Sequence, residues 1–148
     1  KIALASFSKI EDMWNPARWK RWHDSLEKHT LKLSRNDDDQ VEFGAPPLKT
    51  KEGWLEIYHG ADADHRYSLG AVLLDLNDPS KVLARSHDPI FEPVAAYEQT
   101  GFLGNVVFTN GHLVDGDTIT MYYGASDEVI CGASLSIQNI LSELLTTA

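Results

Sequence analysis

Short apolar segments, many with β-branched or aromatic residues, follow one another along most of the chain, and Gly, Pro or Asp turns separate them. This pattern predicts β-strands rather than long helices. We predict strands at residues 2–8, 54–60, 67–76, 82–86 and 130–136. Residues 105–114 should hold a strand, a turn at Asn110 and Gly111, and the start of another strand. Residues 115–125 should form a hairpin and a strand.

Two segments have helical spacing instead. Residues 15–29 begin with Asn15, a good N-cap, and Pro16, which suits the first helical position. Apolar residues three and four positions apart give this helix one apolar face: Trp19, Trp22 and Leu26. The face is typical of packing, with sugar stacking as the alternative. Residues 137–145 also have helical spacing, so we expect a mostly antiparallel β fold with a short helical insertion and a C-terminal helix.

A motif recurs along the chain. Tyr58 and Tyr122 are 64 positions apart, and Gly70 and Gly132 are 62 apart, each pair within similar strands. A near-constant period of this length, with about four strands per unit, is typical of β-propeller blades. Tyr58-His59 and Tyr122-Tyr123 would then face one axial pocket, together with the aspartates that follow them. Aromatic faces, acceptors and anion-binding donors suit a carbohydrate or a sugar phosphate.

Composition excludes several classes of function. The chain of 148 residues fits one domain, and a net charge of −9 argues against nucleic acid and anionic membrane as partners. Its single cysteine, Cys131, excludes an intrachain disulfide and is expected to be a small buried residue. No apolar run is long enough for a membrane span, and no signal peptide is visible, so we expect a cytoplasmic protein.

Residues 34–40 include three successive aspartates, which favour a solvated turn over a metal site because successive positions do not converge on one ion. We therefore predict no metal. The chain has no initiator Met and opens within a predicted strand, as a piece of a longer protein would.

Two long strings carry a family resemblance: GAPPLKTKEGWLEIYHGADADHRYSLGAVLLDLNDPSKVLAR at residues 44–85, and YEQTGFLGNVVFTNGHLVDGDTITMYYGASD at residues 97–127. They resemble the β-mannoside phosphorylases of glycoside hydrolase family 130. The resemblance implies a five-bladed β-propeller of roughly twice this length. Residues 1–148 would be the C-terminal part of that single domain, with roughly its last two to three blades.

The resemblance also implies an activity, which is cleavage of β-mannosides by inorganic phosphate with inversion, giving α-mannose 1-phosphate. The partners would be a mannose-containing oligosaccharide and phosphate as co-substrate, with no cofactor. His59 and Tyr67 match phosphate-binding residues of the family. Asp127 matches the aspartate that holds the mannose hydroxyls, Phe108 matches the sugar-binding wall, and Tyr58 is assigned to substrate binding because it lies in the same motif.

Two departures keep alternatives open. The family's catalytic acid lies in an E-D-P-R-like motif that is absent here, so we expect no catalytic residue within this chain. Many members have a phosphate-binding lysine 19 positions before the histidine, where this chain has Gln40, with Glu42 nearby. A related β-mannosidase or a non-catalytic carbohydrate-binding remnant therefore remain as alternatives. Half a propeller has open sheet edges, so the missing blades should come from a longer polypeptide or from another chain.

Overall fold

The computed structural model describes residues 2–31, 33 and 40–146, and the described chain is mostly β with few helices. The predicted loop at residues 34–40 lies outside the described residues except for Gln40. The strands are β1 Ile2–Ala3, β2 Thr30–Leu31, β3 Gln40–Phe43, β4 Leu48–Lys49, β5 Trp54–Ala61, β6 Tyr67–Leu74, β7 Val82–Arg85, β8 Val107–Asp115, β9 Thr118–Ala125 and β10 Val129–Ser136. The helices are α1 Pro16–Asp24, α2 Ala96–Gln99 and α3 Ile137–Thr146, with two 3₁₀ segments at Ile10–Trp14 and Leu26–Lys28.

The first large sheet is antiparallel, with the strand order β3-β5-β6-β7, and β4 pairs with β5. Seven of the eight residues of β5, and seven of the eight of β6, are buried. A strand that is covered on both faces has no reason to alternate apolar and polar residues. This explains why the sequence reads as nearly continuous apolar runs at these two strands.

The second sheet has the order β10-β9-β8, also antiparallel. The predicted turn at Asn110 and Gly111 is wrong, because β8 runs through this point. The pairing register with β9 shifts between Thr109 and Gly111, so Asn110 is the extra residue of a bulge. The chain reverses later, at Gly116, whose φ of +57° suits a residue without a Cβ.

The predicted strand at residues 2–8 is also wrong beyond its first two residues. Among the described strands, β1 pairs only with β2. After it, side chains of α1 bind the backbone carbonyls: Trp22 Nε1 donates to Leu4 O at 3.0 Å, and Arg18 Nη2 donates to Ser6 O at 3.1 Å. Because these carbonyls already accept hydrogen bonds from side chains, they need no partner on a neighbouring strand. The segment after Ala3 therefore does not continue β1.

The N-terminus of α1 is as predicted, since the Asn15 side chain accepts from Ala17 N and Arg18 N. The helix ends at Asp24, earlier than expected, and a 3₁₀ turn follows. No residue of α1 is fully buried. The tryptophans contact each other edge to face, with ring centroids 5.5 Å apart.

Two apolar clusters hold the strands together. The larger lies between the two sheets and α3, and it includes Ile57, Leu69, Met121 and Leu144. Cys131 is half-buried and packs against it. The smaller lies on the opposite face of β5 and β6 and includes the following residues: Leu31, Leu33, Val41, Tyr58, Val72 and Leu74. Burying each of these large side chains stabilises the fold by about 1.5–3 kcal/mol.

The sequence repeat corresponds to a repeat in strand pairing. Tyr58 of β5 pairs with Gly70 of β6, and Tyr122 of β9 pairs with Gly132 of β10. The two hairpins therefore share their register. Both sheets are open in the part of the chain that the structure describes. None of the described helices combines the length and the apolar character required to cross a bilayer.

Candidate active site

The residues that lead into β8 connect most of the predicted site. Tyr67 N donates to Asn105 O at 3.0 Å, and Ser126 N donates to Val106 O at 3.0 Å. The Phe108 ring stacks on the ring of His59. Residues 105–108 therefore bring together His59, Tyr67, Phe108 and the turn that carries Asp127.

His59 lies near the end of β5 and is only 1% exposed. Its Nε2 is 3.0 Å from Thr109 O. Because a carbonyl oxygen only accepts, Nε2 carries the proton in this contact. The other ring nitrogen, Nδ1, is buried without a hydrogen-bond partner among the described residues. A buried polar atom without a partner is uncommon and marks a candidate functional group.

Burial lowers the pKa of His59 below its ordinary value of 6.5, while the hydrogen bond to Thr109 O and the charge of Glu42 act in the opposite direction. The ring is therefore neutral at neutral pH, and Nδ1 holds a lone pair. Glu42 is the cross-strand partner of His59 on β3, and Gln40 pairs with Ala61. Gln40 and Glu42, which the sequence analysis noted at and near the position of the family's lysine, thus both lie on β3, beside β5.

The rings beside His59 restrict its orientation. The Phe108 ring lies nearly parallel to it, with centroids 3.7 Å apart and planes 16° apart. The Tyr67 ring lies next to the Phe108 ring, with centroids 6.4 Å apart and planes tilted by 51°. Phe108 and Tyr67 are half-buried, so parts of both rings remain exposed beside the buried imidazole. Stacking and the Nε2 hydrogen bond together fix the plane of the imidazole.

Gly44 is a residue of this site that the sequence did not single out. A Cβ at Gly44 would collide with Thr109 O and would lie 2.6 Å from His59 Nε2. Only glycine therefore allows the hydrogen bond between His59 and Thr109. The one sequence signal was its place at the start of the GAPP string.

Asp127 is exposed and lies in the turn between β9 and β10. Its φ is +53°, and that of Ser126 is +50°. Left-handed conformations at residues other than glycine cost about 1–3 kcal/mol each and persist where neighbours impose them. Here Leu103 N donates to Ser126 O at 3.0 Å, and a Cβ at Gly101 would lie 2.6 Å from Ser126 Cβ. The turn is thus held tightly, while the Asp127 side chain faces solvent.

Tyr58 does not join this group. Its side chain is 0% exposed and belongs to the smaller apolar cluster, on the other face of β5 from Ile57. It packs on Gly70, where a Cβ would lie 2.6 Å from the Tyr58 hydroxyl oxygen. Tyr122 is 46% exposed. The expectation that both tyrosines face one axial pocket is therefore wrong, and contact between Tyr58 and a substrate stays a prediction.

Glu98 is a buried carboxylate beside the site that sequence reasoning missed. Val94 N and Ala95 N donate to its Oε2 at 2.8 and 2.7 Å, and the Tyr123 hydroxyl donates to its Oε1 at 2.6 Å. Burial opposes the charged form, but these hydrogen bonds outweigh it and lower the pKa of Glu98. Burial and Glu98 raise the pKa of Tyr123. Glu98 is thus an ionised structural group that fixes the connection before β8.

The arrangement supports binding of an anion and a polyol. Tyr67 supplies a hydroxyl donor for the anion, and Asp127 supplies an exposed acceptor for pairs of sugar hydroxyls. The lone pair on His59 Nδ1 can accept a hydrogen bond from a protonated phosphate oxygen. Within residues 2–31, 33 and 40–146, no three His, Cys, Asp or Glu side chains lie close enough together to hold a metal ion.

Comparison with known proteins identifies relatives of this chain. The family model described as β-1,4-mannooligosaccharide phosphorylase, glycoside hydrolase family 130, matches residues 18–145. A β-1,2-mannobiose phosphorylase of Listeria innocua is 52% identical over 108 residues, which are 73% of this chain and 30% of that protein. A 1,2-β-oligomannan phosphorylase of Thermoanaerobacter is 50% identical over 123 residues, which are 82% of this chain and 41% of that protein.

A solved structure of the β-1,2-mannobiose phosphorylase of Listeria innocua, in complex with β-1,2-mannobiose, matches with a TM-score of 0.76 and 48% sequence identity. The match covers 80% of this chain and 34% of that one. The chain thus spans roughly a third of the length of these relatives, between 30% and 41%.

Proposed function

Because the chain belongs to the β-1,4-mannooligosaccharide phosphorylase family, glycoside hydrolase family 130, we propose that it is part of an enzyme that cleaves β-mannosides with inorganic phosphate. The products are α-mannose 1-phosphate, formed with inversion, and the shortened saccharide. The relatives that share about half of its residues are named for β-1,2-linked mannosides, which supports a β-1,2-mannoside as substrate.

One observation carries the proposal: a single segment, residues 105–108, contacts both halves of the candidate site. On one side it holds Tyr67 and His59, which we assign to phosphate. On the other side it holds the turn of Asp127, which we assign to the mannose hydroxyls. Phe108 lies within the segment and forms a wall of the sugar site. Phosphate and sugar must lie side by side for the nucleophile to reach the anomeric carbon.

An inverting reaction needs a nucleophile on one face of the sugar and an acid on the other. Phosphate supplies the nucleophile, so the protein needs one carboxylic acid, and we assign that acid to a part of the enzyme outside these 148 residues. The reaction needs no cofactor beyond phosphate as co-substrate.

We assign the chain to a five-bladed β-propeller, as the C-terminal part of one domain with two to three blades. The antiparallel order β3-β5-β6-β7 of the first sheet and the shared register of the two hairpins support this assignment. The remaining blades come from a longer polypeptide or from another chain. We also propose that the enzyme is cytoplasmic. The net charge of −9 supports the proposal that it binds neither nucleic acid nor anionic membrane.

The test uses the complete polypeptide that carries these residues, incubated with β-1,2-mannobiose with and without inorganic phosphate. We expect mannose 1-phosphate only in the presence of phosphate. Free mannose released at equal rates in both reactions would instead show a hydrolase. Binding of mannobiose without any cleavage would show a carbohydrate-binding protein.

A further inference from the structure

A second site lies on the face of β5 and β6 opposite His59. It is a cavity of about 480 Å³ whose walls are almost entirely apolar. The side chains of Ile2, Leu31, Phe43, Trp54 and Leu74 form much of its lining. Among the described lining residues, one alone has an ionisable side chain, and that is Glu56.

Glu56 is not explained by the candidate active site. It is 1% exposed, and neither Oε1 nor Oε2 has a hydrogen-bond partner within the described chain. Glu98, the other buried carboxylate described above, accepts three hydrogen bonds. A carboxyl group buried without partners destabilises a fold, and natural proteins rarely leave one so.

Within the part of the chain that the structure describes, no hydrogen bond compensates the buried carboxyl group of Glu56. Burial raises the pKa of Glu56 to about 8, and burial is the sole cause of that shift. Lys49 is close in the fold, but its Nζ lies over the Trp54 ring, 5.6 Å from the centroid. The described chain therefore leaves this acid protonated in an apolar cavity at neutral pH.

The chemistry of the cavity selects its occupant. A carboxylate is stabilised in a buried position by a cation that also donates hydrogen bonds to it. Apolar walls accept the aliphatic stem of a long basic side chain, whose charged head then reaches the acid. Two aromatic rings in the lining, Phe43 and Trp54, add favourable contacts for a cation.

We propose that this cavity receives one arginine or lysine side chain from a segment of the complete polypeptide outside these 148 residues, and that this side chain pairs with Glu56. The relatives are long enough to supply such a segment, since this chain matches only 30–41% of their length. One wall of the cavity is formed by β1, which has two residues, and by its partner strand β2. The inference depends on a longer polypeptide but not on mannoside phosphorolysis.

The first test measures the ionisation of Glu56 directly. Infrared difference spectra of the complete polypeptide and its Glu56→Gln variant, both labelled with ¹³C-glutamate, isolate the Glu56 band. We expect a carboxylate band at neutral pH, since the paired cation keeps the acid ionised. A protonated carboxyl band that is present at neutral pH and lost in the variant would overturn the proposal.

The second test measures stability in the complete polypeptide. Glu56→Leu leaves the basic side chain buried without its partner, so Tm should fall by roughly 5–10 °C. Glu52→Gln is the matched control, because Glu52 is exposed on the turn before β5 and its substitution should leave Tm unchanged. An unchanged or higher Tm in Glu56→Leu would overturn the pairing. Both readouts are independent of activity, so they separate this inference from the proposed function.

Discussion

The hairpins β5–β6 and β9–β10 have the same register but different surroundings. In both, a tyrosine pairs with a glycine on the next strand: Tyr58 with Gly70, and Tyr122 with Gly132. Tyr58 is 0% exposed, whereas Tyr122 is 46% exposed. The two apolar clusters cover both faces of the first sheet. Of the second sheet, the larger cluster covers one face, and the smaller cluster does not reach it. An equivalent position in a repeat therefore does not determine burial.

The residue after each of these tyrosines, His59 or Tyr123, has a different role in each hairpin. His59 and Tyr123 are both buried, at 1% and 3% exposure. The Tyr123 hydroxyl donates to Glu98 at 2.6 Å. His59 uses one nitrogen for Thr109 O and leaves Nδ1 without a partner in the described chain. The second hairpin uses this position for a structural hydrogen bond, and the first keeps a polar atom available.

The aspartates after the two motifs differ in the same way. The Asp62 carboxylate accepts from Asp64 N at 3.0 Å and from Arg66 N at 2.9 Å, so it shapes its own loop. Asp127 lies in a strained turn that other segments hold, and its side chain is exposed. Candidate function lies where the two copies diverge, at the strand ends and in the loops.

The largest expected effect contrasts the two tyrosines. Tyr58→Ala removes a buried ring from the smaller cluster and should lower the free energy of unfolding by about 3–5 kcal/mol. Tyr122→Ala should cost less than about 1 kcal/mol if its face remains exposed in the complete protein. Chemical denaturation of both variants measures the difference. Equal losses would show that another part of the polypeptide covers Tyr122.

The second effect contrasts the two aspartates. Asp127→Ala should lower kcat/KM for phosphorolysis of β-1,2-mannobiose roughly 100-fold or more, since each charge-assisted hydrogen bond contributes about 1.5–3 kcal/mol. Asp62→Ala removes hydrogen bonds within its own loop and should mainly lower stability, by about 1 kcal/mol. Steady-state kinetics with denaturation of the same samples separates the two. An Asp62 variant as inactive as the Asp127 variant would contradict the division of roles.

The hairpins were predictable because their strands are long, apolar and bounded by Gly, Pro or Asp. The strand at residues 2–8 was not, since Trp22 and Arg18 bind the carbonyls of Leu4 and Ser6 from a helix 12 to 18 positions away. The bulge at Asn110 depends on how β8 pairs with β9, and the Asn-Gly sequence by itself does not reveal that pairing. The resemblance supplied the list of site residues, but their grouping around residues 105–108 required the fold.

The third effect is a pH dependence that should be present for His59 and absent for Tyr123. Burial lowers the pKa of His59 in the folded protein below 6.5, so the unfolded chain binds the proton first as the pH falls. Stability should then decrease below about pH 6.5, by at most about 1.4 kcal/mol per pH unit, with no contribution from His59 above it. His59→Gln should reduce this slope. Tyr123→Phe should instead lower stability by the same amount at every pH between about 5.5 and 7.5, because the raised pKa of Tyr123 lies above this range. A variant at His59 with the wild-type slope would contradict the assignment.

The smallest effect concerns backbone strain in the two loops. Ser126, at φ +50°, and His65, at φ +58°, are left-handed residues beside β9 and β6 respectively. Glycine at either position removes strain and should raise the free energy of unfolding by up to about 1 kcal/mol. Ser126→Gly should also loosen the turn that carries Asp127, so KM for β-1,2-mannobiose should rise several-fold with kcat nearly unchanged. His65→Gly should gain the stability without the change in KM, because its loop is held by Asp62 and presents no residue that we assign to the sugar. If both variants change KM alike, strain in the Asp127 turn has no special part in binding.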